Sequence, residues 1–258
     1  MKRTSLPRLL FILLATIAPP ALAQVGHTEQ QGLNNAQTYY HLGKENYTAG
    51  LYQEAVEAFK QAIRLKPSYA VAYNDLGVTY RHLGRYNEAV EAYKQAIHLW
   101  PEFAEVHYNL GYLYDEMSQY AGAVESYKRA LQITPNDAKL HASLAVTYRK
   151  LGRYKEAVES CKRALSLQSN LAEAHNNLGV VYYKMGLRKD AIKSYEQAIQ
   201  LKPDYAEAYF NLGIVYLTAK NKGAALEQYR MLRTLNIGLA RKFFSVIYED
   251  KVLSVASR

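Results

Sequence analysis

Cysteine is almost absent from this 258-residue chain, where Cys161 stands alone. An intramolecular disulfide is therefore excluded, and so is any zinc site built on paired cysteines. No glycine-rich loop ends in lysine and no His-Glu-x-x-His stretch occurs, which removes phosphate-binding loops and helical metalloprotease sites. Long apolar runs are scarce too. The longest, Leu9 to Ala18, is about half the roughly 20 residues that a membrane-spanning helix needs. The chain is thus read as a non-enzyme, with no metal and no cofactor expected, resting on its apolar core alone.

What is present begins at the N-terminus. Lys2, Arg3 and Arg8 precede the apolar run, Pro19 and Pro20 break it, and Ala21-Leu22-Ala23 offers a small-x-small cleavage site before Gln24. This is the pattern of a secretory signal peptide over 1–23, with an uncleaved anchor as the alternative. No cysteine follows the site, which argues against a lipid-anchored lipoprotein. The expected location is periplasmic or extracellular, as a bacterial envelope protein. Residues 24–35 are polar and aperiodic, a short tether.

Beyond the tether the chain repeats. Proline stands at 67, 101, 135 and 203, at intervals of 34, 34 and twice 34, with Ser169 in the gap. Six units follow without insertion: 36–69, 70–103, 104–137, 138–171, 172–205 and 206–239. Unit position 7 is leucine throughout (Leu42 to Leu212), and position 20 is always alanine (Ala55 to Ala225). Position 8 is Gly43, Gly77, Gly111, Ala145, Gly179 and Gly213. Position 24 is Phe59, Tyr93, Tyr127, Cys161, Tyr195 and Tyr229. Positions 4, 7, 8 and 11 make one helical stripe, and positions 20, 24 and 27 make another. Small residues at 8, 20 and 27 let two backbones approach while large ones fill the flanks. Gly50, Gly84, Gly152 and Gly186 fall where a left-handed residue ends the first helix, and the proline ends the second. Each unit is a helical hairpin whose apolar face only a neighbour can cover, so the units must stack.

The set Tyr73, Leu76, Gly77, Tyr80, Ala89, Tyr93, Ala96 and Pro101 resembles the tetratricopeptide repeat, and the other five units match with few departures. The resemblance covers residues 36–239. It implies an all-α, right-handed superhelical solenoid of tandem helix-turn-helix hairpins that binds another protein, as an extended peptide or a helix, in its concave groove. Residues 240–258, with Leu239, Phe243, Val246 and Ile247 at helical spacing, read as a capping helix, amphipathic because one side covers the stack. A membrane-surface helix is the alternative for this segment.

Groove candidates come from positions the scaffold does not need. Of 24 tyrosines, Tyr40, Tyr47, Tyr108, Tyr112 and Tyr183 fall outside the recurring positions, on first-helix sites that face the groove in the family. Tyrosine offers a rigid contact surface with a hydrogen-bonding tip. Asn109, Asn177 and Asn211 share position 6, where asparagines in the O-linked N-acetylglucosamine transferases form a ladder that grips a peptide backbone. An amide donates and accepts at once and so suits that task; the alternative is that these amides bond within the helix layer. Arg81 and Arg149, both at position 12, complete the candidate set. The family's carboxylate clamp is incomplete, since Ser143 stands where a basic residue is expected, which argues against capture of chaperone tails.

His107, His141 and His175 recur at the repeat period, but at position 4, a scaffold site held elsewhere by Tyr39, Tyr73 and Tyr209. Side chains one unit apart are too far from each other to share an ion with bonds near ~2.1 Å. The formal charge is +9, yet Lys60, Lys94, Lys128, Lys162 and Arg230 each follow a glutamate by three residues. Such paired charge supports exposed helices and attracts nucleic acid poorly. No nucleic-acid partner is expected. A module for an anionic envelope polymer or membrane surface, and a self-assembling homo-oligomeric array, are the competing readings.

Overall fold

The computed structural model describes residues 35–256, with side chains as far as Tyr248. The expected signal peptide and the tether up to residue 34 lie outside the described residues. All regular structure in that range is α-helical. Helix α1 covers 35–48, and then α2 (Tyr52–Leu65), α3 (Ala70–His82), α4 (Tyr86–Leu99), α5 (Ala104–Glu116) and α6 (Tyr120–Ile133) follow. The array continues with α7 (Ala138–Lys150), α8 (Tyr154–Leu167), α9 (Ala172–Lys184), α10 (Arg188–Leu201), α11 (Ala206–Thr218) and α12 (Lys222–Leu235), and α13 (Ile237–Ala256) closes it. Odd-numbered helices are the first of each hairpin and even-numbered ones the second.

Each hairpin turns the same way. Gly50, Gly84, Gly152 and Gly186 take the left-handed conformation with φ between 72° and 77°. Ser118 and Lys220 hold the equivalent place at 60° and 59°, so the turn survives without glycine. Two backbone bonds close it, as in the Gly84 N–H to Arg81 C=O bond (3.0 Å) and the Arg85 N–H to Tyr80 C=O bond (2.9 Å). These are the bonds of a Schellman motif.

Close helix approach explains the glycines at position 8. A Cβ on Gly43, Gly77, Gly111 or Gly179 would come within 2.6–2.8 Å of the ring of Phe59, Tyr93, Tyr127 or Tyr195. Those four rings are at most 1 % exposed. The fourth unit reverses both choices: Ala145 carries the methyl and Cys161, fully buried against it, supplies no ring. Burial pushes the Cys161 thiol up to about 12, so it stays protonated and serves as a small apolar filler.

Position-4 histidines latch each first helix to the turn before it. The Nε2 atoms of His107, His141 and His175 lie 2.9, 3.0 and 3.1 Å from the carbonyl oxygens of Pro101, Pro135 and Ser169. With Nε2–H as donor, each imidazole is spent on its own seam. On the outer surface Glu57–Lys60, Glu91–Lys94 and Glu227–Arg230 form ion pairs of 3.5, 2.9 and 2.6 Å. Lys128 and Lys162, expected to pair in the same way, have no carboxylate within 4.0 Å among the described residues.

The last helix differs in register from the sequence stripe. It begins at Ile237, because no proline occupies position 32 there and the Asn236 side chain accepts the Leu239 N–H at 3.0 Å. Ala240, Phe243 and Ile247 are buried, Leu239 is half-buried and Val246 is exposed. Ala240 continues the position-1 alanines Ala36, Ala70, Ala104, Ala138, Ala172 and Ala206, which makes α13 the first helix of a seventh, unfinished unit. No helix among the described residues is long and apolar enough to cross a membrane.

Candidate binding groove

The first helices form the inner layer of the stack. Helix α3 packs on α5, α7 on α9, and α9 on α11, while the second helices sit outside them. The closer-spaced side of a curved stack is its concave side, so the faces of α1, α3, α5, α7, α9 and α11 turned from α2 to α12 line the groove.

Two rows of contacts cross the seams between these helices, and both join residues 35 apart. In the first, position 5 meets position 6 of the next unit. The Tyr40 hydroxyl donates to Asp75 Oδ2 at 2.8 Å. Asn109 Nδ2 donates to Asn74 Oδ1 at 3.0 Å, and Asn211 Nδ2 donates to Asn176 Oδ1 at 3.0 Å. In the second row, position 12 meets position 13. Tyr47 Oη lies 2.8 Å from His82 Nε2, Arg81 Nη1 donates to Glu116 Oε1 at 3.1 Å, and Lys150 Nζ donates to Asp115 Oδ1 at 3.2 Å.

These rows hold five of the candidates, Tyr40, Tyr47, Arg81, Asn109 and Asn211. Asn109 and Asn211 spend one amide hydrogen on a neighbouring asparagine and keep Oδ1 for another partner. Asn177 makes no hydrogen bond among the described residues, because Ala142 stands where Asn74 and Asn176 stand in other units. Asn74 and Asn176 are themselves buried; the sequence reading weighed Asn74 only as part of the incomplete carboxylate clamp and passed over Asn176. The signal was the adjacent polar pairs Asn74-Asp75 and Asn176-Asn177 in an otherwise apolar stripe.

Tyr40 and Tyr47 border a recess of about 360 Å³ between the first three units. Its walls include Phe59, Val71, Val78 and Phe103, and its polar side chains are Lys44, Thr48, Asn74, Asp75 and Glu105 beside the two tyrosine hydroxyls. Asn74 Nδ2 donates to Asp75 Oδ1 at 3.2 Å and to Glu105 Oε1 at 3.3 Å. Burial holds the Asp75 carboxyl above the usual carboxylate range, although the bonds from Tyr40 and Asn74 oppose the shift. Burial beside Asp75 likewise raises the Tyr40 phenol well above its ordinary value. Such a recess offers an apolar floor and carboxylate acceptors together.

Tyr108 and Tyr112 lie next to each other with centroids 6.4 Å apart, Tyr108 leaning on the buried Tyr127 ring at 5.8 Å. The exposed Tyr112 ring lies under the Arg81 guanidinium at 4.9 Å. Tyr183 is half-buried against the Tyr195 cluster. Arg149 differs from Arg81: its Nε is buried and has no hydrogen-bond partner. The structure therefore brings Tyr40, Tyr47, Arg81, Tyr108, Tyr112 and Asn109 to the first three units, and places Arg149, Asn177, Tyr183 and Asn211 in the last three.

Sequence models described as TPR repeat match residues 43–82, 79–118, 147–186 and 189–219. Others described as tetratricopeptide repeat match 104–137, 126–159 and 171–202. No curated protein matches the chain. Among solved structures, the chain is similar to MamA, with 25 % identity, TM-score 0.61, 67 % of this chain and 94 % of that one covered. It is similar to YrrB, described as a TPR protein with an unusual peptide-binding site, at 24 % identity and TM-score 0.58, covering 72 % of this chain and 97 % of that one. It also resembles PilW, described as a type IV pilus biogenesis factor, at 20 % identity and TM-score 0.72, with 82 % and 98 % covered.

Proposed function

Because the chain belongs to the tetratricopeptide-repeat family, whose members act as protein-interaction scaffolds, we propose that it is an adaptor that binds an extended peptide or a partner's helix along its concave groove, outside the cytoplasm. The observation that carries this reading is the pairing of an aromatic-walled recess with free amide atoms along one inner face. Apolar walls give affinity without fixing orientation. The unspent Oδ1 atoms of Asn109 and Asn211 and the whole amide of Asn177 meet the donors and acceptors of an extended backbone. The i,i+3 pairing of charge on the second helices favours the groove over the outer face as the site.

The test is capture of a partner from the native envelope by crosslinking, identification of that partner, and titration with wild type and variants. Asn177→Ala removes no internal bond, so its effect reads binding alone; the triple Asn109, Asn177, Asn211→Ala variant adds two amides that also bond inside the stack. Each lost hydrogen bond costs about 0.5–1.5 kcal/mol, so the triple variant is expected to weaken binding at least about tenfold while remaining helical. Equal affinity would sink the groove reading. Binding that collapses between about 50 and 500 mM salt would instead favour an anionic polymer.

Export makes a separate prediction. Edman sequencing of the protein recovered from cells should begin at Gln24, in the envelope fraction. An intact Met1 in the membrane fraction would convert the signal peptide to an anchor, and an intact Met1 in the cytoplasm would refute export.

A further inference from the structure

The seam between the fourth and fifth units is the one at which both rows of inter-unit contacts are missing among the described residues; the first row is also missing at Tyr108 and Ser143, and the second at Tyr183 and Thr218. In the first row, Ala142 offers nothing to Asn177. In the second, the residue 35 beyond Arg149 is Lys184. Arg81, the equivalent of Arg149 in the second unit, receives Glu116 and the Tyr112 ring from its neighbour. Arg149 meets Lys184 and Val180 at those two positions. Where the second and third seams carry ion pairs of 3.1 and 3.2 Å, this one has cations at both register positions, the half-buried Arg149 and the exposed Lys184.

Nothing within the described chain neutralises them. Neither Arg149 nor Lys184 has a carboxylate within 4.0 Å among the described residues, and Arg149 Nε is buried without an acceptor. Lys150, the other cation nearby, is already paired with Asp115. Buried donors of a guanidinium are costly to leave unmatched, and like charges facing across a seam repel. A group with negative charge and two acceptor atoms would satisfy both cations. The recess at the far end of the groove differs, since Asp75 and Glu105 border it together with Lys44.

We propose that the seam between the fourth and fifth units is the anchor of the groove and takes an acidic side chain of the bound segment, its carboxylate lying between Arg149 and Lys184 while the Asn177 amide holds the adjacent peptide bond. This rests on the peptide-groove reading above. Guanidinium supplies two parallel donors that match a carboxylate, and Lys184 adds a point charge.

The experiment uses the full chain and three fluorescein-labelled decapeptides at about 150 mM salt: alternating Glu-Leu, Gln-Leu and Lys-Leu. Fluorescence anisotropy should show the Glu peptide bound at least about tenfold tighter than the Gln peptide, the worth of a charge-assisted bond. Arg149→Gln with Lys184→Gln should erase that preference and leave the Gln peptide's affinity unchanged. Lys128→Gln, an equal loss of charge on the outer surface, should keep it. Lys184→Glu recreates the Arg81–Glu116 pair within the chain; it should erase the preference with the fold intact, which guards against a variant that merely unfolds. The proposal is overturned if the Glu peptide shows no preference, if Lys128→Gln matches the double variant, or if no peptide binds. The groove reading fails separately, by partner binding that survives the asparagine variants.

Discussion

Replacing Cys161 by tyrosine is expected to destabilise the fourth unit by about 1–3 kcal/mol, and adding Ala145→Gly is expected to recover most of that loss. The reasoning comes from the units on either side. At Gly77 an added methyl would lie 2.6 Å from the Tyr93 ring, and at Gly179 it would lie 2.7 Å from Tyr195. The fourth unit has that methyl already, on Ala145, and Cys161 fills the place of the ring. A tyrosine there meets Cβ of the buried Ala145, so helices α7 and α8 have to separate. Ala145→Gly alone also costs about 1 kcal/mol through helix propensity and leaves a void beside the small Cys161. Together the two changes rebuild the pair found in the second and fifth units. Urea unfolding followed by far-UV circular dichroism gives the four corners of the cycle. A coupling energy near zero, with the double variant as unstable as the sum of the singles, would refute steric complementarity of positions 8 and 24.

The converse follows with the same sign. Gly77→Ala should destabilise although alanine is the better helix former, because the fully buried Tyr93 ring has nowhere to move. For a chain of this size a loss of 2 kcal/mol lowers Tm by roughly 4–8 °C. Since an array of repeats melts in parts, exchange protection of α3 and α4 is the sharper local readout.

Period alone made the hairpins legible. Leu at position 7 and Ala at position 20 recur without exception, and proline or glycine marks most of the ends, so helix number, order and inner stripe follow from counting. The exchange at Ala145 and Cys161 was visible as two separate departures; what joined them was the distance between two backbones, which no spacing encodes. The contacts 35 residues apart were hidden for a similar reason. They depend on how far one hairpin is offset against the next, a property of the stack rather than of a helix face. Asn109 could thus be placed on the groove side while its bond to Asn74 could not, and the opposing cations Arg149 and Lys184 stood in different units with no reason to be compared. The cap was legible as an amphipathic segment. Its buried side, Ala240, Phe243 and Ile247, required the observation that α13 takes the place of a seventh first helix.

That cap carries the largest expected effect. Phe243→Ala should cost about 3–5 kcal/mol, the usual range for a fully buried phenylalanine, and the loss should fall on α11 to α13. Phe243 is fully buried and its ring lies directly over Gly213, with the Phe210 ring edge-on at 5.5 Å. In four other units the residue covering the glycine is the position-24 ring of the same hairpin. Here that residue is Tyr229, and it is displaced: half-buried, it rests against Phe244 at 5.8 Å. The sixth hairpin has therefore given its own covering ring away to the cap. Tyr229 then swings back when Phe243 is removed, which places Phe243→Ala at the lower end of that range. Tyr229→Ala alone should cost little, since its ring covers only part of the surface, while Tyr229→Ala with Phe243→Ala should lose more than the two singles added together. Hydrogen exchange across α11 and α12 reads the effect where it occurs, and limited proteolysis should clip the double variant first near α13. Simple additivity would mean that Tyr229 has no route back to Gly213, and that the cap, not the sixth hairpin, holds the end of the stack by itself.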